Sequence, residues 1–411
     1  MHLPVRQIDQ YLWDEEIIGR KMLFLSGPRQ VGKTTYARGL LTRGRSGAYF
    51  NWDNTEVRKR YAADPFFFLK DRPSKGPYLA IFDEIHKRPK WKDILKGIYD
   101  SLDPSCRLMV TGSARLEWFR RSGDSLAGRY SHFHMMPISM SELSAAPVPD
   151  LWLCKASDWK DPWKSLLRRL GGLKASRADY EDLFRFGGFP EPLARSSDRF
   201  HTKWKRDYLD QVLTEDLREM TNIKTVDMAE KLVGLLPERV GSLLSINSLA
   251  RDLETTHPTL KNHLMQLQKL WLLFTLAPWS RRLNRTLRKG EKAYFIHWPY
   301  AFDPARVHEN MLATSLLKAC LNWTDMGMGN AELWYVRTFD GKEADFLLTL
   351  DKDPVLIVEA KLSEVNLDRG LLNIAAALKV PVIQAVQKAG ILRLGDGQAV
   401  VSADILLSAI P

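Results

Sequence analysis

Short apolar runs alternate with stretches of helical spacing through the first third of the chain. The runs are Met22–Leu25, Ala48–Trp52, Tyr78–Phe82, Arg107–Thr111 and His132–Met136. Strand-like runs with helices between them predict a parallel sheet covered on both faces. From Tyr180 to Met220 the spacing is helical, with Arg199, Lys203, Lys205 and Arg206 forming a basic face. Residues 226–280 read as helix, short strand, helix, turn, helix. Ser248 can cap a helix running to Leu253, and Thr255–Pro258 makes the turn, with Pro258 suited to the first helical position. Leu260, Leu264, Leu267 and Leu270 form a core-facing stripe. Thr259, Lys261, Asn262, His263 and Gln266 fall largely on the other side. Further on, Glu332–Thr338, Glu343–Leu350 and Val355–Leu362 read as strands, joined by turns at Phe339–Lys342 and Asp351–Pro354. A helix around Leu367–Leu378 and a strand Val380–Val386 follow.

The first apolar run leads into Gly27, Pro28, Arg29, Gln30, Val31, Gly32, Lys33 and Thr34, with helical character from Thr35 to Leu41. This is the G-x-x-x-x-G-K-[ST] spacing of a phosphate-binding loop. Its two glycines let backbone N–H groups curl toward phosphate oxygens, and the following helix adds its positive end. Lys33 would reach the β- and γ-phosphates of ATP, and the Thr34 hydroxyl would hold Mg²⁺. The third run ends in Asp83-Glu84, two carboxylates at a buried strand tip. Asp83 would bind Mg²⁺, and Glu84 would orient or deprotonate the attacking water. The fourth run ends in Thr111-Gly112-Ser113, where Thr111 or Ser113 could sense the γ-phosphate; the plainer reading is a strand-ending turn.

Composition narrows the partners. With 411 residues, several domains are expected. A net charge of +11 favours an anionic partner, nucleic acid before membrane surface. Cys106, Cys154 and Cys320 form no C-x-x-C, which points to a reducing compartment. Residues 1–16 lack the apolar core of a signal peptide, and no long uncharged apolar stretch could span a membrane. The histidines form no zinc motif. A cytoplasmic location is the expectation.

Two further constellations carry chemistry. Arg281, Arg282, Arg285, Arg288, Lys289 and Lys292, with only Glu291 opposing them, could be the basic wing of a winged helix. The helix bearing Lys261 would then enter a major groove. A protein–protein spacer is the alternative. Near the C-terminus, Asp345 precedes Glu359-Ala360-Lys361. Residues two apart on a strand share a face, so Glu359 and Lys361 point together and Asp345 can meet them from the neighbouring strand. Glu309 lies on a preceding helix. Helix, three strands, helix, strand with Asp and Glu-x-Lys looks like the PD-(D/E)xK nuclease superfamily. By that likeness Glu309, Asp345 and Glu359 would hold metal, and Lys361 would position a water or neutralise phosphate charge. The plainer reading is an inward salt bridge in an inactive fold.

Taken together, the chain resembles the AAA-type ATPases of bacteria and archaea that carry a C-terminal domain of unknown function numbered 4143. Arg6, the phosphate loop, Phe82–His86, Thr111–Ser113, Leu126–Arg129, Pro137–Ser139, Glu142-Leu143 and Gly187–Pro192 carry the resemblance. It implies an α/β protein in four parts: a P-loop ATPase core (1–148), a helical lid (149–222), a winged helix (223–292) and an α/β restriction-endonuclease-like domain (293–411). It implies self-association. It also makes Arg129 the candidate for stabilising phosphate charge, in cis or from a neighbouring subunit, with Arg120 and Arg121 as rivals and a surface salt bridge as the plainer reading. The function expected is Mg²⁺-dependent ATP hydrolysis coupled to a DNA-directed, nucleolytic C-terminal domain. The alternative is a nucleotide switch acting through protein contacts.

Overall fold

The computed structural model describes residues 4–70, 72–73, 76–112, 126–144, 160–220, 226–280 and 290–411. The chain divides into two compact units. One comprises Ile8–Met136 with Lys269–Trp271; the other comprises Met1–Gln7, Pro137–Gln268 and Leu272–Pro411.

The first unit is built on five strands: β1 (Met22–Ser26), β2 (Gly47–Asn51), β3 (Tyr78–Asp83), β4 (Cys106–Thr111) and β5 (Tyr130–His134). Their order is β2-β3-β4-β1-β5, and every pairing is parallel. β1 and β3 are buried at every position, as strands covered on both faces must be, which is why they read as continuous apolar runs. The helix Trp91–Ser101 buries Trp91, Leu95 and Ile98, one stripe at helical spacing. Phe50, Phe67, Phe68 and Phe82 meet edge to face, as between Phe50 and Phe67 at 5.0 Å and Phe68 and Phe82 at 5.2 Å. Such pairs add specific geometry to ordinary area burial. The mixed α/β architecture with a parallel sheet agrees with the sequence reading.

After the helices Met140–Leu143 and Lys160–Gly172, the second unit continues with helices Arg177–Phe186, Pro190–Arg195 and Asp198–Gln211. Between Phe186 and Pro190, Gly187 takes φ +74°, and a Cβ there would lie 2.4 Å from the His297 ring; only glycine fits. Helices Val226–Leu235, Ile246–Asp252 and His257–Lys269 follow, then an antiparallel hairpin of β6 (Leu273–Leu276) and β7 (Lys292–Phe295). Two local expectations change here. Ser245, not Ser248, caps the helix: its hydroxyl accepts from the Ser248 N–H. His263 is buried, its Nδ1 2.9 Å from the Thr259 carbonyl, rather than on the polar face.

The 22-residue helix Pro304–Asp325 starts on Asp303, whose carboxylate accepts from Ala305 and Arg306 N–H groups. Six strands then form a sheet: β8 (Ala331–Arg337), β9 (Glu343–Leu350), β10 (Asp353–Lys361), β11 (Val382–Val386), β12 (Leu392–Leu394) and β13 (Gln398–Ser402). The order is β12-β13-β11-β10-β9-β8. β8, β9 and β10 form an antiparallel meander, while β10, β11 and β13 run parallel. β12, β13 and the closing helix Ala403–Ala409 were not expected from the sequence. The N-terminal segment is tied in by charge. Glu142, fully buried in a capping box with Ser139, accepts from Arg6 at 3.0 Å, the Gln7 N–H at 3.0 Å and Lys318 at 2.7 Å.

Candidate functional site

The phosphate loop joins β1 to the helix Lys33–Thr42, with Gly32 in the left-handed region as its N-cap. Gly27 sits at φ +148°, and a Cβ there would lie 2.1 Å from the Met135 carbonyl, so the loop cannot carry a side chain at this point. Lys33 is buried, and its ammonium donates to the carbonyls of Gly27 at 2.9 Å and Pro28 at 2.6 Å. The side chain therefore curls back over its own loop, where an incoming phosphate would offer stronger acceptors.

β3 carries Asp83 to the same end of the sheet. Its carboxylate accepts three hydroxyl hydrogen bonds: Thr34 at 2.8 Å and Tyr49 at 2.5 Å on Oδ2, and Thr111 at 2.5 Å on Oδ1. Thr34, expected to hold Mg²⁺, and Thr111, expected with Ser113 as a γ-phosphate sensor, both meet Asp83 here. Ser113 lies outside the described residues. Tyr49 was missed. It sits mid-strand in β2, beside Ile81 in register, and an isolated tyrosine in an apolar run gives no signal until strand order places β2 beside β3. Burial and Asp83 push its hydroxyl pKa well up.

Glu84 follows in the left-handed region at φ +61°, turning its carboxylate off the strand axis. Its Oε2 lies 3.4 Å from buried His86 and 3.6 Å from Lys87, which also binds Asp53 at 2.7 Å. Burial raises the Glu84 pKa, with Lys87 opposing and Asp83 reinforcing the shift. A carboxylate moved toward neutrality suits a general base. The oxygen donors of Thr34 and Asp83 are the hard ligands Mg²⁺ takes.

Arg129 lies at the far end of this sheet. It immediately precedes β5, and its carbonyl accepts from the Met22 N–H at the start of β1, whereas the phosphate loop follows the end of β1. Four strand steps separate the two ends, roughly 13 Å at about 3.3 Å each. The Arg129 guanidinium binds Asp100 at 2.8 Å. Of the readings left open for Arg129, this placement favours the salt bridge over contact with the phosphates in cis; Arg120 and Arg121 lie outside the described residues.

In the second unit, Asp345, Glu359 and Lys361 do converge. Asp345 accepts from the Ala360 N–H at 3.0 Å, Glu359 accepts from the Asp345 N–H at 3.1 Å, and Lys361 donates to Glu359 at 2.9 Å. Glu309 accepts from the Tyr294 hydroxyl at 2.8 Å. Burial and the neighbouring Asp345 raise both Glu309 and Glu359 to about 7. The metal expectation meets an obstacle: the Lys292 ammonium stands among the carboxylates. It is 3.4 Å from Glu343, 3.6 Å from Asp345 and 3.9 Å from Glu309. Among the described residues no group of three His, Cys, Asp or Glu side chains is arranged to hold a metal ion. Lys292 was expected on a basic wing; it is 3% exposed and points inward. Of the nucleic-acid candidates, Lys261 is exposed on the helix His257–Lys269, while Arg281, Arg282, Arg285 and Arg288 lie outside the described residues.

Comparison with known proteins places the class. Residues 19–144 match a family described as AAA domain; with the loop and carboxylate geometry, this supports an AAA-type P-loop ATPase core that binds nucleotide together with a metal. Residues 177–297 match a domain of unknown function numbered 8612, which corrects the number 4143 expected from the resemblance. An uncharacterized protein of Methanocaldococcus jannaschii is 26% identical over 71% of this chain and 63% of its own length. An uncharacterized protein of Mycobacterium tuberculosis is 23% identical over 66% of this chain and 53% of its own length. The chain thus spans between half and two thirds of these relatives. A second M. jannaschii protein, also uncharacterized, is 22% identical over 89% of this chain and 80% of its own length. A solved structure of Drosophila ORC bound to AT-rich DNA and Cdc6 shows 12% identity and a TM-score of 0.22, covering 72% of this chain and 86% of that one, a slight likeness. No helix among the described residues is long and apolar enough to cross a membrane.

Proposed function

We propose that the chain is a Mg²⁺-dependent ATP-binding and hydrolysing protein whose nucleotide state governs a DNA-directed second unit, in DNA processing or genome defence. The observation that carries this is Asp83, held by three hydroxyls from the phosphate-loop helix, β2 and β4. A carboxylate oriented before its ligand arrives loses little freedom on binding. Thr34 and Asp83 would hold Mg²⁺, which neutralises phosphate charge. Lys33 would exchange its loop carbonyls for the β- and γ-phosphates. Glu84 would take a proton from, or orient, the attacking water, and Thr111 or Ser113 would stand beside the γ-phosphate.

DNA contact rests on the net charge of +11 and on Lys261, Arg281, Arg282, Arg285 and Arg288. Self-association would let Arg129 of one copy approach the nucleotide of another. The winged-helix and nuclease-like readings of residues 223–292 and 293–411 belong to the same proposal. They are supported by the helix–turn–helix–hairpin order and by the helix, meander, helix and parallel-strand order. A second reading, a nucleotide switch with an inactive nuclease-like domain, is favoured by the position of Lys292 among the acidic residues.

Nucleotide binding and phosphate release in Lys33→Ala and Glu84→Gln test the core. Lys33→Ala is expected to abolish ATP binding. Glu84→Gln is expected to keep binding while slowing hydrolysis roughly 10²- to 10⁴-fold. Hydrolysis surviving both changes would overturn the assignment.

A further inference from the structure

The carboxylates of Glu309, Glu343 and Asp345 come from two elements: the helix Pro304–Asp325, and the first and third positions of β9. Their charges face a common point, and that point is taken. Lys292 opens β7, opposite Leu276 in register, and sends its ammonium within 3.4–3.9 Å of all three. The side chain also lies over the Tyr335 ring, 5.4 Å from its centroid. Its strand is firmly seated. The Tyr335 hydroxyl donates to the Gly290 carbonyl, and the backbone N–H of Trp279, beyond β6, donates to the Tyr335 carbonyl at 2.7 Å. Lys292 thus reaches the carboxylates from a hairpin attached to β8, and leaving them would strand a buried charge.

A divalent cation at this place would need carboxylate oxygens roughly 2–2.6 Å from one centre. It would also have to share that centre with an ammonium whose charge repels it. We propose that Lys292, within reach of Glu309 and Asp345, is a built-in counter-ion that keeps divalent metal out of the cluster these two form with Glu359, which accepts from the Asp345 N–H. The cluster then serves as a charge-matched latch between the hairpin and the C-terminal sheet. Removing one partner of a partly dehydrated pair costs far more than removing one partner of a surface pair, because the charge left behind is buried without compensation. Removing the cation while keeping the carboxylates should convert the latch into a metal site, because the remaining oxygens repel one another until a new cation joins them.

The test is Mn²⁺ binding to the full chain without nucleotide, followed by the electron paramagnetic resonance signal of free Mn²⁺. All proteins carry Lys33→Ala, so that the phosphate loop contributes nothing and the ATPase reading is not being tested. With Lys292 present, no Mn²⁺ site sensitive to Asp345→Asn is expected. Lys292→Met should gain a site at least tenfold tighter than any in the parent, and adding Asp345→Asn should remove it. Should Lys292→Met not fold, Lys292→Met with Glu343→Gln relieves one negative charge and retains Glu309, Asp345 and Glu359; the same gain is expected. An Asp345-dependent Mn²⁺ site in the protein that still has Lys292 would overturn the proposal, whatever the variants do. So would a folded Lys292→Met protein with no gain.

Discussion

Asp83 and Thr111 stand side by side in register on parallel strands β3 and β4, and the Thr111 hydroxyl donates to Asp83 Oδ1 at 2.5 Å. With Thr34 and Tyr49 on the other oxygen, the carboxylate is aimed by three separate elements. Thr111→Val and Tyr49→Phe each remove one hydrogen bond to a charged group, worth about 1.5–3 kcal/mol. Thr111→Val is expected to slow ATP turnover roughly tenfold or more. Tyr49→Phe is expected to raise the Mg²⁺ concentration needed for half-maximal turnover, leaving metal-free nucleotide affinity nearly unchanged. Turnover and Mg²⁺ titrations of both variants check this; wild-type behaviour in both would mean that the hydroxyls do not aim Asp83 for catalysis.

Arg129 is bound to Asp100 at the sheet end away from the phosphate loop. Arg129→Ala is therefore expected to leave nucleotide affinity unchanged. If Arg129 acts from a neighbouring copy, wild-type turnover per molecule should rise with protein concentration. Mixing Arg129→Ala with Lys33→Ala should then restore part of the missing hydrolysis. Turnover independent of concentration, together with a fully active Arg129→Ala, would assign the residue to its salt bridge alone.

DNA binding through Arg281, Arg282, Arg285 and Arg288 would release counter-ions. Affinity for duplex DNA should fall steeply as salt rises. Replacing Arg281, Arg282 and Arg285 by Ala should reduce the log–log slope by about 0.9 for each phosphate that is no longer neutralised. Fluorescence anisotropy over a salt series measures it. A flat curve would favour a protein partner.

Burial opposes ionisation of Glu142, but Arg6 and Lys318, with the Gln7 N–H, outweigh it and hold its pKa down at about 2. The sign follows from linkage: a carboxyl whose folded pKa lies below its unfolded value stabilises the fold above the unfolded value. That stability is lost as pH falls through the folded one. Between about pH 4.5 and pH 2 the protein should lose on the order of 3 kcal/mol through this group. Glu142→Gln should be destabilised near neutral pH by about 3–5 kcal/mol, because it takes the carboxylate away from the buried Lys318 ammonium. It should also show a flatter acid limb in denaturant titrations from pH 7 to pH 3. An unchanged acid limb would put the pH sensitivity elsewhere.

The phosphate loop, the Asp83-Glu84 pair and the buried strands of a parallel sheet were readable because each shows in neighbours within a few residues. A loop needs its glycines at fixed offsets, and a strand buried on both faces is apolar throughout. The same held for the leucine stripe from Leu260 to Leu270 and for the pairing of Glu359 with Lys361 two residues on. The cap at Ser245 was misplaced by three residues because several serines compete within one short segment. β12 was missed because it is three residues long with Gly390 and Gly395 close on either side, and β13 because its place is set by pairing with β11 and β12.

Side chains distant in sequence had to meet before the rest could be seen. Tyr49 joins Asp83 only because β2 lies beside β3. Arg129 is carried away from the phosphates only because β5 runs parallel to β1. Lys292 looked like one more basic residue in a run of them. Its charge turned inward because β7 pairs with β6 and places it before carboxylates from a helix and a strand that the chain reaches only later. Local spacing dictates which chemistry a segment can offer; which of the charges far apart in sequence end up facing one another is set by strand order and packing.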